Sequence, residues 1–380
     1  MLKSHPRAGV YLPQPTGYKA FIPKALPPYP SLRIDSQLLN LLTDAYGALC
    51  KLDAKTDNLP NPDLFVASFV NKEALLSSQI EGTQASLEDV FAFDLNRTSD
   101  SFDILEVINY VKALNYGLER LDSFPLSLRL IREIHKRLIS GTRGTTKTPG
   151  EFRRSQNWIG QENAALNQAT FVPPPPDEMM NALSKWERYL HANTEEHPLI
   201  KCGLMHAQFE TIHPFLDGNG RLGRLLITFF LCHEGILARP TLYLSLYFKL
   251  NRNEYYQKLN AIRHEGDWEG WVSFFLEGIK EVSLESIALI SRIQKLLDSH
   301  KQVIGKSLKH PSRALRLIDY LAGKPIVTIL QVADFLGITH PTASKLLREL
   351  VNIRVVELMR RKRPKTFIYK DYLNLIKEGT

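Results

Sequence analysis

Residues 213 to 224 gather more reactive side chains than any other stretch of this chain: His213-Pro214-Phe215-Leu216-Asp217-Gly218-Asn219-Gly220-Arg221-Leu222-Gly223-Arg224. The imidazole of His213 can take a proton near neutral pH. Asp217 is a hard oxygen ligand, suited to a Mg²⁺ shared with phosphates. Gly218 and Gly220 permit backbone conformations closed to other residues, and their amides can converge on an anion. A helix beginning here adds unpaired N–H groups and its positive end. Arg221 and Arg224 are three apart, so they share one face of its first turn. Their planar guanidinium forks suit phosphate oxygens. Base, metal ligand, anion cradle and clamps this close together fit phosphoryl or nucleotidyl transfer.

Helices must position these groups. Apolar residues recur at three-to-four spacing over 37–53, 64–81, 101–121, 126–139, 177–191, 198–212, 220–234, 254–263 and 268–299. Ile104, Val107, Ile108, Val111 and Leu114 line one such face. Breakers separate the blocks at Asn61-Pro62, Phe124-Pro125, Gly144, Pro149-Gly150 and Pro173 to Pro176. An amphipathic helix is expected to end near Ile212, and an apolar one to start after the glycines. The first 30 residues hold seven prolines and no sustained period, which predicts an extended arm. From about 150 to 176 the helical period fails, and Glu151 to Gly160 with Ala169 to Val172 read as a β-hairpin or flap. The fold class is therefore all-α, a helical body of about 300 residues with a small flap.

After about residue 305 the pattern changes. Ala314, Leu315, Leu317 and Ile318 predict one helix, Ile329 to Leu336 a second stopped by Gly337, and Pro341 opens a third through Leu350. Val355 to Leu358 and Thr366 to Tyr369 predict strands around Arg360-Arg361-Lys362-Arg363-Pro364. This is the plan of a winged helix-turn-helix, a small α/β domain. Residues 311–380 hold thirteen Lys or Arg against six Asp or Glu, so seven of the chain's net eight positive charges lie there. Such a concentration points to a polyanion.

The 213–224 segment resembles the signature of the Fic family, His-Pro-Phe-x-(Asp or Glu)-Gly-Asn-Gly-Arg-x-x-Arg, at every specified position. Gly150-Glu151-Phe152-Arg153, Asn157-Trp158-Ile159-Gly160 and Phe171-Val172-Pro173-Pro174 resemble that family's flap region, and Tyr255-Tyr256 with Gly266-Asp267-Trp268 its later helices. The resemblance implies a Fic-type helical bundle and AMP transfer from ATP to a Ser, Thr or Tyr hydroxyl of a target protein, or of the chain itself. By it, His213 is the base and Asp217 holds Mg²⁺. Gly218, Asn219 and Gly220 form the anion hole, and Arg221 and Arg224 hold the β- and γ-phosphates. Leu222, Gly223 and Tyr256 border the nucleotide, and the flap aligns a target segment by strand addition.

Ser77-Ser78-Gln79-Ile80-Glu81-Gly82 resembles the family's inhibitory motif, (Ser or Thr)-x-x-x-Glu-(Gly or Asn). Ser77 and Glu81 are four apart on one helical face, with Phe65, Phe69, Leu76 and Ile80 on the opposite one. A carboxylate at a helix C-terminus is disfavoured by the dipole. The resemblance implies that Glu81 pairs with Arg224 and keeps ATP from a productive pose. The implied domains are an arm and inhibitory region over 1–100, a catalytic domain over 101–300, and the winged helix over 305–380. In the winged helix Thr342, Ser344, Lys345 and Arg348 would meet a DNA major groove, and Arg361 and Arg363 in the wing its phosphates.

The longest apolar run, Leu225 to Cys232, is far short of the roughly 20 residues of a membrane span, and no secretion signal is expected. Cys50, Cys202 and Cys232 are widely spaced. They predict neither disulfides nor a zinc site, but three buried thiols in a reducing cytoplasm. His233-Glu234 and His264-Glu265 lack zinc-pair spacing, the four tryptophans read as packing residues, and Lys201 and His206 as solvated or core. A homodimer is compatible with the sequence. The rival functions are AMP removal from targets, phosphorylation with ATP reversed, and a DNA-binding regulator whose Fic domain only senses nucleotide.

Overall fold

A computed structural model describes residues 5–15, 17–59, 62–95, 101–160, 165–359 and 364–380. In chain order the elements are β1 (Gly9–Pro13), β2 (Lys19–Pro23), α1 (Ser36–Asp57), α2 (Pro62–Ile80), α3 (Leu87–Ala92), α4 (Phe102–Leu121), α5 (Leu128–Ile139), α6 (Pro176–His191), α7 (Pro198–Ile212), α8 (Asn219–His233), α9 (Ser245–Leu250), α10 (Arg252–Glu265) and α11 (Trp268–Ser307). The remainder are α12 (Ser312–Gly323), β3 (Ile326–Thr328), α13 (Ile329–Leu336), α14 (His340–Asn352), β4 (Glu357–Leu358), β5 (Thr366–Ile368) and α15 (Lys370–Lys377). Among the described residues, no helix is long and apolar enough to cross a membrane. The chain folds into two compact units. The first comprises Met1–Cys50, Asn109–Ala238 and Tyr247–Glu281; the second comprises Lys51–Ile108, Arg239–Leu246 and Val282–Thr380.

The first unit centres on α7 and α8. Residues Leu199 to Ile212 of α7 are all buried, so this helix is enclosed rather than amphipathic. His197 caps it, its Nδ1 accepting from the Leu199 amide at 3.1 Å, and Pro198 occupies the first helical position, where a missing N–H costs nothing. Trp186 of α6 and Trp271 of α11 seal it by donating to the carbonyls of Met205 and Gly203, at 2.9 and 2.8 Å. Lys201 also belongs to this core, its Nζ bonded to the Ala192 carbonyl at 2.8 Å. Trp186, Trp268 and Trp271 are buried, whereas Trp158 is exposed.

The proline-rich arm does more than extend. β1 and β2 pair as an antiparallel hairpin, Gly9 opposite Pro23, with Ala20 and Phe21 buried. The Phe21 amide donates to the Val172 carbonyl at 2.9 Å, so the arm borders the flap. Among the described residues, the flap's two extended pieces meet at an antiparallel bridge, Ile159 with Phe171.

In the second unit α2 carries an Asp63-led first turn and is buried on nearly every side. Phe65, Phe69, Leu76 and Ile80 are buried as expected, but Ser77 and Ser78, off that face, are buried too. The helix-turn-helix is α13, Gly337 at φ 63° and α14, backed by α12 and a three-stranded sheet in the order β3-β5-β4. A capping box joins Thr328 and Gln331 at the start of α13. The α2 residue Ser68 is shared with this domain: its hydroxyl donates to the Ala322 carbonyl of α12 at 2.9 Å and accepts from Tyr372 of α15 at 3.0 Å. α2 is thus part of the winged helix's packing. None of the three cysteines forms a disulfide, and Cys232 is only half-buried. Cys202 is buried as expected, but Cys50 is exposed, facing outward from α1.

Candidate active site

The turn between α7 and α8 carries the 213–224 segment. His213 caps α7 in the left-handed conformation, φ 49°, which costs a non-glycine residue about 1 kcal/mol or more. Its surroundings hold it there. The carbonyl of His213 accepts from Arg153 Nε at 2.9 Å and from Asn157 Nδ2 at 3.3 Å. The Arg153 amide donates to the Pro214 carbonyl at 3.0 Å. Its guanidinium, 2% exposed, also donates to the carbonyls of Ser155 and Pro174. Burial lowers the Arg153 pKa to about 10, which leaves it charged at neutral pH. One cation therefore ties the flap to the backbone of His213 by donating to four carbonyls, those of Ile212, His213, Ser155 and Pro174.

Asn219 braces the inside of the turn. Its Oδ1 accepts from the Phe215 amide at 2.9 Å and its Nδ2 donates to the Phe215 carbonyl at 2.8 Å. Its side-chain oxygen and one of its amide hydrogens are thereby committed to holding the turn. Gly218 takes φ 76°, and a Cβ there would stand 2.9 Å from Ile139 Cγ2, so glycine is required by both conformation and space. Gly220 differs from the sequence reading: it sits in the first turn of α8 and is not in the left-handed region. The Asp217 carboxylate is partly exposed; its Oδ1 accepts from the Gly218 amide at 2.6 Å and lies 3.5 Å from Arg221 Nη2. Arg221 and Arg224 are both buried within α8.

Two neutral imidazoles anchor this helix start. His135 of α5 and His206 of α7 are buried, and burial lowers their pKa values to about 4 and about 3. His135 Nδ1 accepts from the Gly150 amide at 2.9 Å, so the proton is on Nε2, which meets the Asp217 carbonyl at 2.9 Å. His206 Nδ1 faces the Gly223 carbonyl at 3.0 Å and so carries the proton, leaving Nε2 to accept from the Tyr255 hydroxyl at 2.9 Å. Gly223 lets α7 approach: a Cβ there would stand 2.2 Å from Glu210 Oε1. His206 thus has a defined polar task in the core, and His135 is a site residue the sequence reading missed. A signal existed, because His135 lies on the α5 face lined by Ile131, Ile134 and Leu138, where a polar group needs partners.

The first unit therefore brings together His213, Asp217, Gly218, Asn219, Gly220, Arg221, Leu222, Gly223 and Arg224 on one turn and its helix. Tyr256 is exposed on α10, beside buried Tyr255 at 5.1 Å between rings. Ser77 and Glu81 belong to the second unit. Ser77 is buried in the last turn of α2, and Glu81 follows that helix, exposed, before Gly82 at φ 97°. On α14, Lys345 and Arg348 are exposed and Thr342 and Ser344 partly so. Arg361 and Arg363 lie outside the described residues. Among the described residues no group of three or more His, Cys, Asp or Glu could hold a metal. A cation here would have Asp217 as its protein ligand and take its other oxygens from phosphates and water, as Mg²⁺ commonly does.

Residues 125–231, which span this turn, match the Fic/DOC family, and residues 39–119 match the Fic/DOC family N-terminal region. The chain carries a Fic/DOC domain. Residues 311–358 match the IclR helix-turn-helix domain, so a winged helix follows. The chain is 29% identical over 243 residues to a protein of Culex quinquefasciatus named protein adenylyltransferase Fic, covering 60% of this chain and 45% of that protein. A relative of the same name from Drosophila yakuba is 29% identical over 197 residues, covering 51% and 36%. This chain thus spans less than half the length of these curated relatives. Among solved structures, a Fic family protein from Desulfovibrio desulfuricans G20 superposes with a TM-score of 0.58 at 20% identity, covering 89% of this chain and 97% of that one. The C. elegans Fic-1 segment aa134–508 gives 0.51 at 19% identity, covering 67% and 74%. The Fic fold thus accounts for the helical architecture.

Proposed function

We propose that this protein transfers the adenylyl group of ATP to a hydroxyl side chain of a target protein. The observation that carries this reading is the α7–α8 turn, where a complete set of base, carboxylate, glycine amide and paired arginines is braced by Arg153, Asn157 and Asn219. His213 takes the proton of the incoming Ser, Thr or Tyr hydroxyl. The hydroxyl oxygen then bonds to the α-phosphorus, the bond from that phosphorus to the bridging oxygen breaks, and pyrophosphate leaves. Backbone amides at the start of α8 face the charge that develops on the phosphate oxygens, and Arg221 and Arg224 hold the leaving phosphates. Asp217 would hold Mg²⁺, which supplies neutralising charge to the phosphates when bound. The flap would align the target segment.

Glu81 is the brake in this proposal, supported by the Ser77-x-x-x-Glu81-Gly82 spacing at the end of α2 and by the N-terminal family match. The winged helix, residues 305–380, contacts DNA through Lys345 and Arg348, supported by the helix-turn-helix match and by the exposure of both residues. Three cysteines outside any disulfide fit a reducing cytoplasm. Incubation with ATP radiolabelled at the α- or the γ-phosphate tests the reading. Glu81→Gly should transfer α-label to protein far faster than wild type, and His213→Ala should transfer none. Transfer of γ-label would instead mean phosphorylation. Equal labelling by wild type and Glu81→Gly would remove the brake.

A further inference from the structure

The geometry points to His135 as a positioning residue that acts on Asp217 through a single peptide plane. The inference rests on the adenylyl-transfer reading for its kinetic consequence, though not for its structural one. Asp217 C=O and Gly218 N–H belong to one planar trans peptide, so they point in opposite directions and turn together. His135 Nε2–H holds the carbonyl at 2.9 Å. The amide at the other edge of that plane donates to Asp217 Oδ1 at 2.6 Å. The chain of contacts thus runs from imidazole to carbonyl, across the peptide, from amide to carboxylate. Fixing the first bond fixes the orientation of the last.

The imidazole is itself fixed at its other nitrogen and on its face. The Gly150 amide donates to its Nδ1 at 2.9 Å, which sets the tautomer that leaves a proton on Nε2. Phe215 stacks on its ring at 3.7 Å between centroids and 17° between planes. Gly150 is in turn held by Arg132, whose Nε donates to its carbonyl at 2.8 Å. A side chain at Gly218 would press on Ile139, its Cβ 2.9 Å from Cγ2, so this end of the peptide plane is kept as glycine. His135 therefore couples the base of the flap to the carboxylate of the site. Partners of this kind, which orient a ligating group without touching substrate, typically change activity or affinity by about 10- to 100-fold when removed.

Two near-isosteric substitutions divide the two bonds of the ring. A glutamine amide nitrogen reaches the place of Nε2 and can still donate to the Asp217 carbonyl. An asparagine oxygen falls near Nδ1 and can still accept from the Gly150 amide, but leaves Asp217 unheld. In the Glu81→Gly protein, His135→Asn should lower kcat for α-label transfer by about 10- to 100-fold with a much smaller change in the KM for ATP, whereas His135→Gln should restore it to within about threefold. Residue-resolved amide exchange supplies a readout independent of the reaction: Gly218 should exchange faster in His135→Asn than in His135→Gln, and Gly150 the reverse. A merely structural histidine would make the two variants alike in kcat and in exchange, and that result would overturn the inference. If the Glu81→Gly parent labels nothing, the adenylyl-transfer reading fails, and the exchange contrast still decides the role of His135.

Discussion

Replacing Arg153 with lysine keeps the positive charge and removes the fork, which isolates what that fork does. The guanidinium is 2% exposed and reaches the carbonyls of His213 at 2.9 Å, Ser155 at 3.2 Å and Ile212 at 3.5 Å, and that of Pro174. A lysine ammonium carries its donors on one nitrogen and cannot span carbonyls from both the flap and the end of α7. At least two buried acceptors then lose their partner. Each costs about 1–3 kcal/mol, so the first unit should lose about 3 kcal/mol, on the order of a hundredfold in its folding equilibrium. All four tryptophans, Trp158, Trp186, Trp268 and Trp271, belong to that unit, so their fluorescence in urea follows it. The expected result is an earlier midpoint with the slope of the transition unchanged. A loss below about 1 kcal/mol would refute the claim that this cation holds the turn.

Acid should weaken the same unit. Below about pH 6.5 the unfolded chain binds a proton on His135 that the native protein, with its value held at about 4, does not. Stability is therefore complete above that pH and falls as pH drops from 6.5 toward 4; the full window is worth about 3 kcal/mol for this residue. His206, held at about 3, acts in the same direction. Denaturant titrations near pH 7 and pH 5 should show the loss, a smaller one in His135→Gln; a flat profile would contradict the burial of neutral imidazoles. Residues 305–380 expressed alone leave Ala322 and Tyr372 without Ser68 and expose the face of α12 that α2 covers. Circular dichroism should then show no cooperative melting, and a sharp transition would mean that α2 is dispensable to the winged helix.

Periodicity made the long helices legible, because most helices in this chain bury one stripe and expose another. It was less informative about burial where packing encloses a helix, as in α7 and α2, where polar residues such as His206 and Ser68 lie inside with backbone or side-chain partners. Short elements escaped for a different reason. α3 has only Leu87–Ala92 to show a period, although the capping box of Ser86 and Asp89 marks its start. The N-terminal hairpin was hidden by its prolines: Pro13 and Pro23 sit at strand ends, where a missing donor is tolerated. The reactive set of 213–224 could be read because its residues are contiguous. What holds it could not, since His135, Arg153 and Asn157 come from elsewhere in the chain. The left-handed backbone of His213 is held by donors from Arg153 and Asn157 and has no local signature.

Intact-mass and peptide mass spectrometry of Glu81→Gly incubated with ATP and Mg²⁺, alone and with a cell lysate, tests the central claim most directly. A hydroxyl side chain should gain the mass of one adenylyl group, and the gain should vanish when His213 is also changed to alanine. Addition of a phosphate mass instead, or an adenylyl adduct that persists without His213, would contradict the account.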